Sequence, residues 1–227
     1  MTSQTSPAAL RPGNQSPPAG PRGRLLHTGP AILDIRLDVP RHPTPGHDVL
    51  ASASQITAGG GFNVMVAAVR AGAEVSYLGP LGDGPMSQLV AAELTAAGID
   101  IATAPAAQTD IAYCVALVNP TGERSFVSYL AGADAPTPEL SGADAHRTDI
   151  AYLVGYSMLS PASRGVLCEW LPGLPSGLRV VFDPSPMLGE IPDAAWRVLV
   201  EQVGIWTLSL GEARIAHARL AGRPGPD

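Results

Sequence analysis

The sequence predicts an α/β fold: a mostly parallel sheet with helices on both faces, carrying a small inserted β-lid. Three observations predict it. Short apolar strands alternate with helical segments along most of the chain, the rhythm of parallel strands joined by crossover helices. Several of those strands are apolar at consecutive positions, as a sheet covered on both faces requires. Two stretches, about 36–56 and 111–130, break the rhythm with β-rich runs that suit an antiparallel flap.

The elements follow in order. Residues 1–23 are rich in Pro, Gly, Ser and Gln and lack an apolar signal-peptide core, so they read as a disordered tail. Residues 25–35 are mostly apolar and read as one buried strand with Asp34 near its C-terminal end; the prolines of 40–45 break the pattern. Residues 49–57 alternate apolar with small polar side chains, as a half-exposed strand does. The run Ala58-Gly59-Gly60-Gly61-Phe62-Asn63 opens a helix over 62–71 that Gly72 stops. A strand at 75–79 and a turn at Leu81-Gly82-Asp83-Gly84 lead to a helix over 86–97, with Pro85 suited to its first turn and Gly98 to its end. A short strand at 99–102 precedes two β runs, 111–118 and 124–130, which Asn119-Pro120-Thr121-Gly122-Glu123 joins as a hairpin. From Asp149 the rhythm returns: strand 150–154, helix 161–171, strand 179–182, helix 193–202, strand 203–208 and helix 211–220. The folded unit is read as 24–221, with 222–227 a C-terminal tail.

Composition excludes several functions. The net charge is −6 without a basic cluster, which disfavours nucleic acid and anionic membranes as partners, and no apolar run approaches the ~18 residues of a membrane span. All 14 cationic side chains are Arg, so Schiff-base, Walker-type and kinase-strand lysines are ruled out, and phosphate must be handled by backbone amides, Arg or metal. Cys114 and Cys168 form no metal or redox spacing and read as free thiols of a cytoplasmic protein.

The candidate chemistry gathers at predicted strand ends, where parallel sheets bind their ligands. A glycine triplet opening a helix brings bare N–H groups against a small polar ligand, and Asn63 adds a side chain that both donates and accepts. Asp34, Asp83 and Asp183 fall at comparable ends; a carboxylate there suits polyol hydroxyls, and equally each aspartate suits a turn. A dinucleotide-binding oxidoreductase is the competing reading, but its fingerprint needs glycine at the sixth position, where Val64 stands.

The blocks Gly29…Asp34, Gly59-Gly60-Gly61-Phe62-Asn63, Leu78-Gly79-Pro80-Leu81-Gly82-Asp83, Gly122-Glu123-Arg124-Ser125-Phe126 and Val181-Phe182-Asp183-Pro184 together resemble the N-terminal two-thirds of a PfkB/ribokinase-type carbohydrate kinase, over roughly 24–220. The resemblance implies a Rossmann-like, ribokinase-like domain with a β-lid over the sugar, often paired through the lid into a homodimer. It implies transfer of the γ-phosphoryl of ATP, with Mg2+, to a hydroxyl of a sugar or nucleoside. It assigns the sugar hydroxyls to Asp34, to Gly59, Gly60, Gly61 and Asn63, and to Asp134 in Gly132-Ala133-Asp134, where many members have Gly-Ala-Asn. Glu212 matches the acid of the Asn-x-x-Glu element that orders magnesium and phosphate, with Ser209 in place of the Asn. Gly60 stands where ribokinases often carry Lys, and Met187 where an Arg often follows the Asp-Pro pair.

The base that the resemblance implies is the Asp of a Gly-Ala-Gly-Asp run beyond that element. Only 15 residues follow Glu212, and none forms such a run; Ala131-Gly132-Ala133-Asp134 and Ser141-Gly142-Ala143-Asp144 precede the relevant strands and read as turns. The chain alone is therefore expected to be inactive. Two accounts stay open: a carbohydrate or nucleoside kinase whose C-terminal segment is missing here, and a non-catalytic sugar-binding remnant or partner subunit.

Overall fold

A computed structural model of the chain describes residues 23–130 and 148–222; Asp134 and both Ala-Asp look-alike runs lie outside them. In chain order the elements are β1 (Arg24–His27), β2 (Ala31–Asp38), β3 (Ala53–Gly60), α1 (Gly61–Arg70), β4 (Glu74–Tyr77), α2 (Pro85–Ala96), β5 (Asp100–Ile101), β6 (Tyr113–Val118), β7 (Arg124–Tyr129), β8 (Ile150–Val154), α3 (Tyr156–Leu159), α4 (Pro161–Trp170), β9 (Arg179–Asp183), α5 (Asp193–Gln202), β10 (Ile205–Trp206) and α6 (Leu210–Leu220). Among the described residues they make two sheets. The main sheet runs β10-β9-β8-β1-β4-β5 with every pairing parallel. The lid sheet runs β3-β2-β6-β7.

Alternating side chains on the main strands feed two cores, the consequence of a two-residue strand period. Tyr152 and Val181 point with Leu25 and Val75 into a cluster with Met65 of α1 and Val90 and Leu94 of α2. Ala151, Leu153, Val180 and Phe182 point the other way, onto Leu167 of α4 and Trp196 and Leu199 of α5. Each fully buried Leu or Phe contributes about 1.5–3 kcal/mol, so every apolar strand position has a face to serve. At the β10 edge, Trp206 meets Phe182 and Trp196 edge-on, and the Arg219 guanidinium lies 4.6 Å over the Trp196 ring, fastening α6 to α5.

Three expectations need correction. Residues 25–35 are two strands: Pro30 has no N–H to give a ladder and Gly29 packs on Val154 where a Cβ would not fit, so the chain leaves the main sheet at Thr28-Gly29-Pro30. Asp34 thus lies in the middle of a lid strand, not at the end of a main-sheet strand. The lid is mixed rather than antiparallel: β2 pairs with β3 and β6 with β7 in antiparallel fashion, but β2 and β6 run parallel. Their connection runs through β3, α1, β4, α2 and β5, and strand alternation carries no information about that direction. The short helix α3, unanticipated, turns the chain after β8.

Beneath the lid junction His27 is fully buried, its ring stacked on Tyr152 at 5.3 Å. Nδ1 sits 3.2 Å from the Gly29 carbonyl and therefore carries the proton, while Nε2 is buried without a partner among the described residues. Burial pushes the imidazole down to about 4. Because the folded pKa lies below the ordinary 6.5, stability is full above pH 6.5 and falls as pH drops toward 4. Denaturant unfolding across that range should show wild type losing about 3 kcal/mol relative to His27→Gln, which does not titrate.

Candidate functional site

The lid sheet arches over the C-terminal ends of β8 and β9 and the start of α1, enclosing a cleft of about 450 Å3. One wall is the inner face of the lid, where strand alternation places Ile32 and Asp34 of β2, Ala112 and Cys114 around β6, and Phe126 and Ser128 of β7. The opposite wall holds Gly60, Gly61 and Val64 from the β3–α1 junction, and the floor holds Tyr152, Tyr156 and Asp183.

Asp34 is the charged group of the lid wall. Its carboxylate is half-buried, accepts no hydrogen bond from any described residue, and is pushed above its ordinary pKa by burial. It sits against Gly59, where any Cβ would collide with the carboxylate. The next residue, Gly60, takes φ 59° as β3 turns into α1, a conformation that glycine adopts without strain. Gly61 N–H donates to the Pro30 carbonyl at 3.1 Å, and no described side chain caps the helix start, leaving first-turn N–H groups and the positive end of α1 at the cleft.

A second cleft of about 470 Å3 continues from the first, sharing Tyr156, Asp183, Ser185 and Pro186 and adding Thr207, Leu208, Ser209 and Glu212. Asp183, at the end of β9, accepts from Ser185 N–H at 2.9 Å and Tyr152 O–H at 3.4 Å, so its carboxylate is held in place. Burial, with the Asp183 charge as a smaller cause, pushes the Tyr152 phenol up and keeps it a neutral donor. Ser209 and Glu212 form a reciprocal capping box at α6: Glu212 N–H donates to Ser209 Oγ at 3.3 Å, and Ser209 N–H to Glu212 Oε2 at 2.7 Å. Among the described residues no three His, Cys, Asp or Glu side chains gather as a metal cluster.

The sequence profile of the pfkB family of carbohydrate kinases matches residues 24–194. The chain belongs to that family. It is 29% identical over 202 residues to the uncharacterized sugar kinase YegV of Escherichia coli (strain K12), covering 88% of this chain and 62% of that protein; the chain thus spans less than two-thirds of that relative's length. The fold matches a nucleoside kinase of Methanocaldococcus jannaschii, an archaeal member of the ribokinase family, with TM-score 0.72 at 14% identity over 91% of this chain and 67% of that one. It also matches an Arabidopsis thaliana ribokinase complexed with ribose and ATP, with TM-score 0.66 at 20% identity over 91% and 65% of the two chains. The α/β fold of parallel sheet and helices is that of the ribokinase-type kinases.

Of the residues singled out in the sequence, Asp34, Gly60 and Gly61 line the first cleft and Gly59 backs the Asp34 carboxylate. Ser209 and Glu212 line the second cleft. Asn63, on the first turn of α1, is exposed and does not line the cleft, and Asp83 is an exposed turn residue. The sequence did not mark Cys114, Phe126, Ser128, Tyr152 or Tyr156 as cleft residues. The alternation 126/128/130 in the hairpin signalled one face of β7 but not which face looks inward. Among the described residues no helix is long and apolar enough to cross a membrane.

Gly59 is extended, so Gly59→Ala is tolerated by the backbone and acts through the clash with Asp34. The variant should displace the carboxylate toward solvent. Carbon-detected NMR should then show Asp34 titrating closer to an ordinary carboxyl, with stability altered by no more than about 1 kcal/mol.

Proposed function

We propose that the protein is an ATP-dependent sugar or nucleoside kinase acting in the cytoplasm, and that these 227 residues hold its acceptor side. The observation that carries this reading is the half-buried Asp34 carboxylate, without a hydrogen-bond partner among the described residues, facing a cleft beside a helix start that no described side chain caps. A polyol supplies what is lacking: its O–H groups donate to the carboxylate in charge-assisted bonds, and its oxygens accept from the first-turn N–H groups of α1. Gly59, Gly60 and Gly61 let the backbone approach closely, and Asp134 belongs to the same acceptor side by family resemblance. The Arabidopsis relative bound to ribose and ATP supports the two-ligand arrangement.

The adjoining cleft is the natural place for the ATP phosphates. Glu212 has one oxygen committed to Ser209 N–H and borders that cleft, which fits an ion held through its waters rather than directly, as Mg2+ is on phosphates. When bound, Mg2+ neutralises phosphate charge. The chain's own part is to fix Glu212 and Ser209 by the capping box. The Gly-Ala-Gly-Asp run that carries the family's base is not among the 227 residues, and a general base is worth about 10²–10⁴-fold. This stretch alone is accordingly proposed to bind acceptor without turning it over. That behaviour is shared by the second reading, a non-catalytic sugar-binding subunit.

The outer face of the lid carries Ile56, Ile35, Val115 and Val127 in one row across all four strands, with Ile56, Val127 and Tyr129 each more than half exposed. Such a face suits pairing of two lids in a homodimer.

Calorimetry with ribose, fructose and the four ribonucleosides, alongside ATP with Mg2+, tests the reading. Asp34→Asn should lower acceptor affinity at least about tenfold, the scale of a lost hydrogen bond to a charged group. It should also raise the melting temperature at neutral pH. The sign follows from the raised folded pKa: Asp34 costs no stability below the ordinary carboxyl range and costs increasingly as pH rises through the folded value. Wild-type affinity should fall as acid protonates Asp34. Equal acceptor affinity in wild type and Asp34→Asn would refute the assignment.

A further inference from the structure

The inner face of the lid has a layered chemistry. Strand register places Asp34, Cys114 and Ser128 side by side in one row across β2, β6 and β7. The row on the glycine-turn side is carbon only: Ile32, Ala112 and Leu130. The row on the lid-tip side brings Phe126 to the cleft, and Arg36, which shares that row, is turned to Asp38 at 2.8 Å. Among the lid side chains that line the cleft, Asp34, Cys114 and Ser128 make the polar strip, with Ile32 on one side of it and Phe126 on the other. Across the cleft stand Val64 and Val154, with Tyr152, Tyr156 and Asp183 on the floor. Phe126 meanwhile is 61% exposed, a large aromatic face open to the cleft. Polyol chemistry at one strip and a flat apolar face beside it match a ligand of two halves.

We infer that the acceptor is a nucleoside rather than a free sugar: its ribose held at Asp34 and the glycine turn, its base stacked on Phe126. The inference rests on the reading of Asp34 as the polyol-binding carboxylate and adds to it the second half of the ligand. Base–aromatic stacking tolerates every base because each has a π face, so Phe126 sets the class of acceptor and not the identity of the base.

The test is calorimetry on the 227-residue chain with ribose, fructose, glucose, adenosine, guanosine, cytidine and uridine. At least one nucleoside should bind tenfold or more tightly than ribose. Phe126→Ala should shrink the nucleoside-to-ribose affinity ratio about tenfold, and Phe126→Tyr should retain it; the exposure of Phe126 keeps both variants foldable, which thermal melting verifies. Free sugars binding as tightly as every nucleoside, or a ratio unmoved by Phe126→Ala, overturns the inference. If a free sugar binds best and Asp34→Asn abolishes it, the nucleoside inference alone fails and the polyol reading survives. If no compound in the panel binds, both fall.

Discussion

The site depends on one hydroxyl group. Where the chain leaves β1 for the lid, Tyr77 O–H donates to the Pro80 carbonyl at 2.7 Å while accepting from Ala31 N–H at 3.0 Å. It ties the first residue of β2 to the turn after β4. The ring is fully buried and burial raises the phenol far above its ordinary value, so the group stays a neutral hydroxyl that donates and accepts at once. A side chain without that oxygen would leave two buried backbone groups unpaired, at about 1–3 kcal/mol each. The exit geometry fixed at Ala31 sets the register of β2 on β3, and that register puts Asp34 over Gly59. The lid is positioned from its root.

Two carboxylates of the cleft illustrate how environment assigns roles. Asp183 is satisfied by Ser185 N–H and Tyr152 O–H and serves as part of the floor. Asp34 has no described partner and carries the electrostatic cost of partial burial. A fold that maximised stability would pair it or replace it, and a binding site gains from leaving it open. Unsatisfied polar groups in a native cleft point to a ligand more directly than satisfied ones do.

Much of this architecture was legible in the chain itself. The apolar strand of 150–154 and the helix of 193–202 stand where their patterns placed them, because burial on both faces and a single amphipathic stripe leave little freedom. The glycine turn was legible because few other residues permit both a positive φ at Gly60 and a carboxylate against Gly59. The split between β1 and β2 was not, since apolar residues continue on both sides of Thr28-Gly29-Pro30 and the break depends on packing against Val154. The inward face of the hairpin was hidden for a related reason. Period-two alternation defines two faces, and only the parallel pairing of β2 with β6, set by a long crossover, decides which one faces the cleft. Asn63 shows the converse: a side chain suited to polyols that the first helical turn carries away from the cleft.

The most direct measurement is a carbon-detected NMR titration of the Asp34 carboxyl, run without ligand and with saturating ribose or each ribonucleoside. Hydroxyls that donate to the carboxylate favour its charged form, so the elevated pKa of the free protein should fall when the acceptor is bound. A carboxyl whose titration is the same in every bound state would contradict the placement of the acceptor at Asp34.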